Sequence, residues 1–233
     1  MTASEVLREL EARGDPDRAA NSARYFQTQE GGYGAGDVFL GIRVPELRRL
    51  ARMWRRMELA EVIKLLQSQY HEARLLGLLL LVEHYRRATA PEKEAIVKLY
   101  LQNSTQINNW DLVDSSAPQI LGDYFYTKQD RSLLDELAAS SLLWERRMAL
   151  LATLYFIRQG EFAETLRLVE KLLSDPEDLI HKAAGWMLRE VGKRDEKKLI
   201  EFLEKNARRM PRTMLRYAIE KLPAELKKLY LNK

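Results

Sequence analysis

The sequence predicts an all-α fold, a stack of paired antiparallel helices of the α-solenoid type. Helical periodicity runs along the whole chain, and Leu, Ala, Glu, Arg and Lys fill most positions. Glycine and proline fall between the periodic segments, and patterns typical of β-strands are nearly absent. A length of 233 residues is enough for one large domain, so we expect residues 1–233 to form a single domain.

The helix starts follow from local signals. Proline in a first helical turn costs no hydrogen bond, so four of the prolines are interpreted as starts. The predicted starts are near Thr2, Pro16, Pro45, Glu58, Glu72, Pro91, Asn108, Arg131, Trp144, Phe162, Glu177, Asp195, Pro211 and Pro223. The main interruption is the glycine-rich segment, Gln27 to Asp37, whose four glycines permit a flexible connection. Its spacing matches no dinucleotide-binding or P-loop pattern.

Weak internal similarity supports the stacked arrangement. The similar segments are HEARLLGLLLLVEHYRR from His71, WERRMALLATLYFIRQ from Trp144 and IHKAAGWMLREVGKR from Ile180. Aligning Arg74, Arg147 and Lys182 leaves intervals of about 73 and about 35 residues, close to two units and one unit of a repeat. NNWDLVDSSAPQIL lies in the larger gap. Paired helices with this period are typical of HEAT-like or armadillo-like repeats, so we expect a concave basic face with tryptophans in it.

Composition excludes several classes of site. The chain has no cysteine and three histidines, which excludes thiolate chemistry and disfavours a histidine-built metal site. We therefore expect no metal and no cofactor. The N-terminus MTASEVLRELEARG has no signal-peptide pattern, and no stretch is apolar enough to cross a membrane. We expect a cytoplasmic protein that is a monomer and does not contact membranes.

Positive charge is unevenly distributed. The net charge is +4, but Lys182 to Lys233 contains 15 lysines and arginines against 7 aspartates and glutamates. A second group of arginines, which we name the Arg43–Arg56 cluster, comprises Arg43, Arg48, Arg49, Arg52, Arg55 and Arg56. Local excess of this kind is typical of a phosphate-binding surface, although a solvated helix face has the same composition.

The string WDLVD is the most informative in the chain. Trp110 and Asp114 are four residues apart and so share a helix face. Pro118 lacks the N–H that would bond the carbonyl of Asp114, so the helix must kink, begin or loosen here. A carboxylate at such a position beside an indole is either functional or a helix cap, and the pattern alone leaves both open.

Six strings, taken in order, carry a family resemblance. ARYF, FLGI, NWDLVDSSAP, LGDYF, WERRMAL and IHKAAGWMLRE resemble the AlkD family of DNA alkylation repair proteins across most of the chain. The glycine-rich segment between ARYF and FLGI is longer than in the AlkD pattern.

The resemblance implies a HEAT-like fold whose concave face holds duplex DNA. It implies a monofunctional DNA glycosylase of base excision repair that releases purines alkylated at ring nitrogens, such as 3-methyladenine and 7-methylguanine, without base flipping. Carried over by position, Asp114 is the catalytic carboxylate, and Trp110 and Trp186 are an aromatic pair against the lesion's sugar backbone. Arg147 contacts a phosphate, and Tyr25 is a further aromatic at the site.

Two more residues are candidates for DNA binding. Lys182 and Arg146 lie in the repeated basic segments: Lys182 is aligned with Arg147 in the repeat, and Arg146 is the residue before Arg147. Adjacent helical residues point about 100° apart, so we expect Arg147 rather than Arg146 to face the DNA.

Two alternatives come from other classes of protein. A catalytically inactive HEAT-like protein that binds damaged or branched DNA would also need a basic face, but not the combination of Trp110, Asp114, Arg147 and Trp186. A protein-binding solenoid scaffold would need an exposed groove for its partner, and gives no reason for the aromatic and carboxylate set.

Overall fold

The computed structural model describes residues 1–232, which are helical apart from short connections. Contacts divide the chain into two compact units, Met1–Ser116 and the residues from Ala117 onward. Within the described residues there is no strand, and the β-type pairing is an isolated bridge between Val38 and Tyr70. The all-α prediction is therefore confirmed, whereas a single domain over 1–233 stays a prediction.

The N-terminal unit consists of seven α-helices and a 3-10 turn, Ser104–Gln106, within the described chain. The helices are α1 (Ala3–Ala12), α2 (Pro16–Tyr25), α3 (Val44–Met53), α4 (Leu59–Leu66), α5 (His71–Arg87), α6 (Ala90–Gln102) and α7 (Trp110–Asp114).

The C-terminal unit opens with a π-helical turn, Pro118–Gly122. Its helices are α8 (Asp123–Tyr126), α9 (Ser132–Ala138), α10 (Leu143–Arg158), α11 (Ala163–Lys171), α12 (Asp178–Gly192), α13 (Glu196–Asn206), α14 (Arg212–Ala218) and α15 (Ala224–Leu231). Each of the predicted helix starts lies within two residues of an observed one.

Helix α5 is the centre of the N-terminal unit. Helices α3, α4, α6 and α7 all contact it, and its residues are buried on nearly every side. Such a helix has no polar face, which is why its leucine run shows little amphipathic pattern. Gly77 lets α4 approach closely, because a Cβ at this position would lie 2.9 Å from Cδ2 of Leu66.

Helices α10 and α12 have the same central place in the C-terminal unit. Helix α10 contacts the π-helical turn, α9, α11 and α12, and α12 also packs against α13 and α14. Gly185 allows the close contact between α12 and α14, since a Cβ there would lie 2.5 Å from the carbonyl oxygen of Met214. The three segments that resemble one another in sequence thus form the buried central helices.

A repeated hydrogen bond fixes the start of each central helix. Arg74 Nη1 donates to the carbonyl of Ser68 at 3.0 Å, and Arg146 Nη1 donates to that of Ser140 at the same distance. His181 Nε2 donates to the carbonyl of Asp175 at 2.6 Å. In each case the acceptor lies six residues before the donor. The structure therefore equates Arg74, Arg146 and His181, one position earlier than Arg147 and Lys182 in the sequence alignment.

The irregularity predicted at Pro118 is confirmed. Helix α7 ends at Asp114, Ser115 follows as its C-terminal cap, and Pro118 begins the π-helical turn. Because proline has no N–H, the α-helical hydrogen bond to the carbonyl of Asp114 cannot form. Asp114 is consequently placed at a helix end, next to a local change of backbone conformation.

Candidate active site

Helix α7 carries the predicted carboxylate and indole. Its first residue, Trp110, donates its backbone N–H to Oδ1 of Asn109 at 2.9 Å. Trp110 and Asp114 are both half-buried, and they lie four residues apart on this one helix. Since Asn109 caps the start of the helix and Asp114 is its last residue, Asp114 is not the N-terminal cap of α7.

Trp110 is enclosed by aromatic side chains from the glycine-rich segment and its flank. Its ring stacks on Phe26, with centroids 5.3 Å apart and planes inclined by 17°. Tyr25 meets the same indole edge-on at 6.1 Å and is 67% exposed. Trp110 Nε1 donates to the hydroxyl of Tyr33 at 3.4 Å, and that hydroxyl donates to the backbone carbonyl of Tyr25 at 3.1 Å. The structure therefore brings the rings of Tyr25 and Trp110 into contact.

The charge of Asp114 influences a neighbouring phenol. Burial raises the pKa of the fully buried Tyr100, and the negative charge of Asp114 adds to this increase. The hydroxyls of Tyr100 and Ser116 lie 2.9 Å apart, and Ser116 Oγ donates to the carbonyl of Leu112 at 2.6 Å. A polar pair thus occupies the interior beneath the end of α7, close enough to sense the Asp114 carboxylate.

A buried cluster of charges lies at the start of α7. His71 Nδ1 is 2.9 Å from Asp37 Oδ2, and His71 Nε2 is 2.9 Å from Asp111 Oδ2. Arg74 Nη2 donates to Asp37 Oδ1 at 2.5 Å. The side-chain amides of Asn108 and Asn109 also donate hydrogen bonds to Asp37, each at 3.2 Å. We name these six residues the Asp37–His71 network; they join the glycine-rich segment, α5 and α7.

The network favours a protonated histidine. Burial opposes the imidazolium form of His71, but hydrogen bonds and attraction from Asp111 and Asp37 outweigh it and raise the pKa of His71 to about 9. Burial also raises the pKa of Asp37, while the bond to His71 and the charge of Arg74 lower it more, so the net shift is downward. Two carboxylates and two cations therefore neutralise each other in the interior.

Glu72 holds the chain that follows the glycine-rich segment. Its carboxylate accepts the backbone N–H groups of Leu40 at 2.9 Å, Gly41 at 2.7 Å and Ile42 at 3.2 Å. His71 donates its own backbone N–H to the carbonyl of Val38 at 2.8 Å. At the start of α5, His71 thus belongs to the network, and Glu72 fixes the backbone that leads into α3.

The remaining candidate residues lie in the C-terminal unit. Arg147, on α10, is 5% exposed, and its Nη1 donates to the carbonyl of Leu179 at 2.7 Å. Arg146 is bound to Asp175 through Nε–Oδ2 and Nη2–Oδ1 contacts of 2.6 and 3.3 Å. Both guanidinium groups are thus hydrogen-bonded within this unit.

Helix α12 carries the other two candidates. Trp186 is half-buried, and its Nε1 donates to Glu190 Oε1 at 3.2 Å. Lys182 is also half-buried, and its ammonium group pairs with Asp178 at 2.8 Å. Trp186 and Lys182 are four residues apart on this helix, so the indole and the ammonium group project from the same side of α12.

The Arg43–Arg56 cluster is exposed. All six of its arginines are on the surface of the N-terminal unit. Glu46, the acidic residue within this stretch, accepts from Arg13 at 2.8 Å and is 4.0 Å from Arg49. Most of the positive charge in the cluster is therefore not neutralised locally.

One family model matches residues 6–222, nearly the whole chain, and its description is DNA alkylation repair enzyme. The chain belongs to the DNA alkylation repair enzyme family. Membership gives it a role in the repair of alkylated DNA, as the resemblance implied. No curated protein matches the sequence.

Two solved structures show the same fold as this family member. The first, a predicted DNA alkylation repair enzyme from Enterococcus faecalis, has a TM-score of 0.70 and 20% identity; the match covers 91% of this chain and 97% of that one. The second, AlkD2 from Streptococcus mutans, has a TM-score of 0.57 and 17% identity, with coverage of 90% and 99%. The predicted AlkD-type helical-repeat fold is therefore confirmed.

Two further features of the family member concern membranes and metals. No helix in residues 1–232 is long and apolar enough to cross a membrane. Within the same residues, no group of three or more His, Cys, Asp or Glu side chains is arranged to hold a metal ion.

Sequence reasoning did not find several residues around α7 of this repair-family protein. Phe26 and Tyr33 were missed as neighbours of Trp110, and Asp37, His71 and Asp111 were missed as a buried network. Phe26 does stand in the ARYF string, beside Tyr25. The only other available signal was that Asp37, His71 and Asp111 are ionisable residues at the borders of apolar segments, which is too common a pattern to single them out.

Proposed function

We propose that this protein is a monofunctional DNA glycosylase that hydrolyses the N-glycosidic bond of cationic alkylated purines in duplex DNA. The substrates are bases of the 3-methyladenine and 7-methylguanine type. In this proposal Asp114 is the catalytic carboxylate and Trp110 supplies an aromatic face to the sugar, without base flipping.

One observation carries the proposal. In a protein of a DNA alkylation repair family, a half-buried carboxylate stands one helical turn after a half-buried indole, at the end of a helix whose start is firmly anchored. Partial burial strengthens the field of a carboxylate, because less water screens it. A fixed helix also holds the charge in place, so that little reorganisation is needed when positive charge develops nearby.

The chemistry needs few groups. Alkylation at nitrogen 3 of adenine or nitrogen 7 of guanine makes the base cationic, so it leaves as a neutral molecule without being protonated. As the glycosidic bond lengthens, positive charge moves to the deoxyribose, as in glycoside hydrolysis. Asp114 stabilises this oxocarbenium-like sugar and orients the attacking water, which delivers hydroxyl to the anomeric carbon. The indole of Trp110 adds cation–π attraction of about 0.5–2 kcal/mol.

Unmodified, neutral bases should not be released by this mechanism. An unmodified purine is a poor leaving group unless it is protonated, and the proposed mechanism has no general acid. Selectivity therefore requires no pocket shaped around the lesion.

Residues of the C-terminal unit are proposed as DNA contacts. Trp186 contributes an aromatic face to the sugar backbone, and Arg147 contacts phosphate. Lys182 and Arg146 are further candidates for phosphate contact, and each also pairs with a carboxylate of its own unit. Contacts to phosphate position the strand rather than read its sequence.

The decisive experiment replaces Asp114 by Asn and measures single-turnover release of 7-methylguanine from duplex DNA. Asn preserves the size of the side chain but removes its charge, so we expect a loss of about a hundredfold in rate, or about 2.7 kcal/mol. Duplex affinity should change little, because the charge matters chiefly in the transition state. Asp17→Asn is the matched control, since Asp17 is exposed on α2 and the same charge is removed; it should release base at the wild-type rate.

The same assay distinguishes the competing functions. Wild-type protein that binds duplex DNA tightly but releases no base would be an inactive DNA-binding relative. Loss of release in Asp114→Asn that only parallels lost folding or lost binding would make Asp114 a structural residue.

A further inference from the structure

The glycine-rich segment contacts α7 at two separate points. Tyr33 accepts the indole N–H of Trp110, and Asp37 binds the histidine that holds Asp111. Between these points, Gly36 and its neighbours turn the chain, and the backbone N–H of Gly36 donates to the carbonyl of Thr28 at 3.3 Å. The segment is therefore bound to the helix that carries Trp110 and Asp114, and is more than a connection between α2 and α3.

His71 joins the two sides of this contact. The side chains of His71 and Asp37 are 2% and 3% exposed, so their bonds are shielded from water. Both ring nitrogens face carboxylate oxygens, which only accept hydrogen bonds. With both aspartates ionised, each ring nitrogen must carry a proton for both bonds to form, so this geometry corresponds to an imidazolium.

Charge balance makes Asp111 dependent on His71. Arg74 compensates Asp37, which leaves the imidazolium as the cation in contact with Asp111. The second oxygen, Asp111 Oδ1, is buried and accepts no hydrogen bond from the residues that the structure describes. Removing the imidazolium would therefore leave a poorly compensated carboxylate on α7, one residue after Trp110.

Among the residues that the structure describes, the other ionisable groups near this contact are bound elsewhere or exposed. Glu72 follows it on α5 but is engaged by the backbone of residues 40–42. Arg18 and Arg43 line a cavity of about 370 Å³ that His71 and Asp111 also border. Arg18 is occupied by Asp15 and the carbonyl of Gly41, and Arg43 is exposed.

We infer that His71 is a positioning residue of the proposed active site. As an imidazolium held between Asp37 and Asp111, it fixes the glycine-rich segment to α7, so that Tyr33 and Phe26 set the orientation of the Trp110 indole beside Asp114. This inference rests on the proposed glycosylase function for its effect on rate, but the arrangement itself can be tested without catalysis.

The first test observes the imidazolium directly in the full-length protein. Nitrogen-15 labelling of the three histidines, with His71→Gln to assign His71, should show both ring nitrogens of His71 protonated at pH 7.5. A neutral His71 with a single protonated nitrogen at this pH would overturn the inference.

The second test follows the orientation of Trp110. The emission of Trp110 is obtained by subtracting the spectrum of Trp110→Phe from that of the parent protein. We expect this emission to shift in His71→Gln and in Tyr33→Phe. His84→Gln is the matched control, because His84 is on the same helix but bonds the carbonyl of Met57; its Trp110 emission should equal that of the wild type.

The third test is kinetic. With enzyme in excess and at a temperature where each variant is folded, His71→Gln and Tyr33→Phe should each release 7-methylguanine about tenfold to a hundredfold more slowly, the usual effect of a misplaced active-site group. Duplex affinity should stay within about twofold, because few phosphate contacts change. Adding Asp111→Asn to His71→Gln removes the uncompensated charge and should restore part of the rate.

The outcomes separate the two proposals. Wild-type protein that releases no base would overturn the glycosylase function, while the nitrogen-15 and fluorescence measurements would still decide the positioning role. Normal release and normal Trp110 emission in Tyr33→Phe would overturn the positioning role with the glycosylase intact. If His71→Gln does not fold, Tyr33→Phe still tests the positioning role. Tyr33 lies outside the buried network, so this substitution should not prevent folding.

Discussion

Trp110 lies face to face with Phe26, their rings 5.3 Å apart and inclined by only 17°. Phe26 also stacks on Phe39, and Phe39 in turn stacks on His71 at 4.4 Å. A continuous column of stacked rings thus connects the indole at the candidate site to the buried ring of His71. A substitution at Phe26 should therefore alter the packing of both Trp110 and His71.

Replacing Phe26 by Leu should remove the ring stacked on Trp110 and make the orientation of the indole less fixed. Leucine keeps the apolar character but removes the flat face, and aromatic pairs contribute about 0.5–1.5 kcal/mol beyond burial. We expect a red shift of Trp110 emission and base release reduced several-fold. Phe202→Leu, the same change at a buried position on α13, is the control and should alter neither quantity. Unchanged emission in Phe26→Leu would mean that the stack does not hold the indole.

Substitutions of the adjacent residues Arg146 and Arg147 on α10 should have different effects, the first mainly on stability and the second mainly on DNA binding or turnover. The side chains of Arg146 and Asp175 are 11% and 3% exposed, so Arg146→Ala leaves a buried carboxylate without its partner. Breaking a buried pair in this way typically costs about 3–5 kcal/mol, and the free energy of unfolding should fall accordingly. The double variant with Asp175→Ala should recover part of that loss. Denaturant unfolding measures all three proteins.

Arg147→Ala is the companion variant. Per folded molecule, it should weaken duplex binding or turnover more than Arg146→Ala, as the sequence predicted. Equal effects on DNA binding would remove the basis for choosing Arg147.

His71 should make stability fall at alkaline pH. The pKa of His71 is raised to about 9 in the folded protein, against an ordinary value near 6.5. A group whose pKa is raised on folding contributes stability that is complete below the unfolded value and disappears as pH rises through the folded one. The Tm of the wild type should therefore decline between about pH 6.5 and 9 relative to that of His71→Gln. Parallel Tm profiles for the two proteins would contradict the raised pKa.

The Arg43–Arg56 cluster should contribute to the salt dependence of DNA binding. Each phosphate contact releases condensed counterions and adds about 0.9 to the slope of log affinity against log salt concentration. Arg48→Ala combined with Arg52→Ala should lower that slope by one to two units, uniformly across sequences. Arg158→Ala, at an exposed position at the end of α10, serves as the control. A total slope equivalent to fewer than about two phosphates would exclude a phosphate-driven surface.

Periodicity and local signals were sufficient to place fourteen of the fifteen α-helices in the described residues; the four-residue helix α8 had no predicted start. Proline and capping residues act within one turn, so the starts at Pro16 and near Pro91 could be found from neighbouring letters alone. The irregularity at Pro118 followed in the same way from a missing donor. The repeat register was off by one residue in two segments, because the bond that defines it joins a side chain to a carbonyl in the preceding turn.

The surroundings of α7 were beyond such reasoning. Asp37 and Asp111 meet at His71 although they are far apart in the sequence, and only the packing of the segment and α7 against α5 brings them together. The WDLVD pattern singled out Trp110 and Asp114 but left their role open, and the family resemblance supplied that role and added Tyr25. The burial of Arg147 could not be foreseen, because polar and apolar residues do not separate into two faces on α10.

The hydrogen bonds from three successive backbone N–H groups to Glu72 determine where the chain can accept additional residues. Because residues 40–42 are held by Glu72, the course of the backbone into α3 does not depend on how many residues precede Asp37. The exposed stretch at Gln29 and Glu30 lies before both Tyr33 and Asp37 and has solvent around it. Extra residues, or an inserted peptide label, would be tolerated there as a bulge, whereas a single added residue after Asp37 would pull the chain out of register with α5.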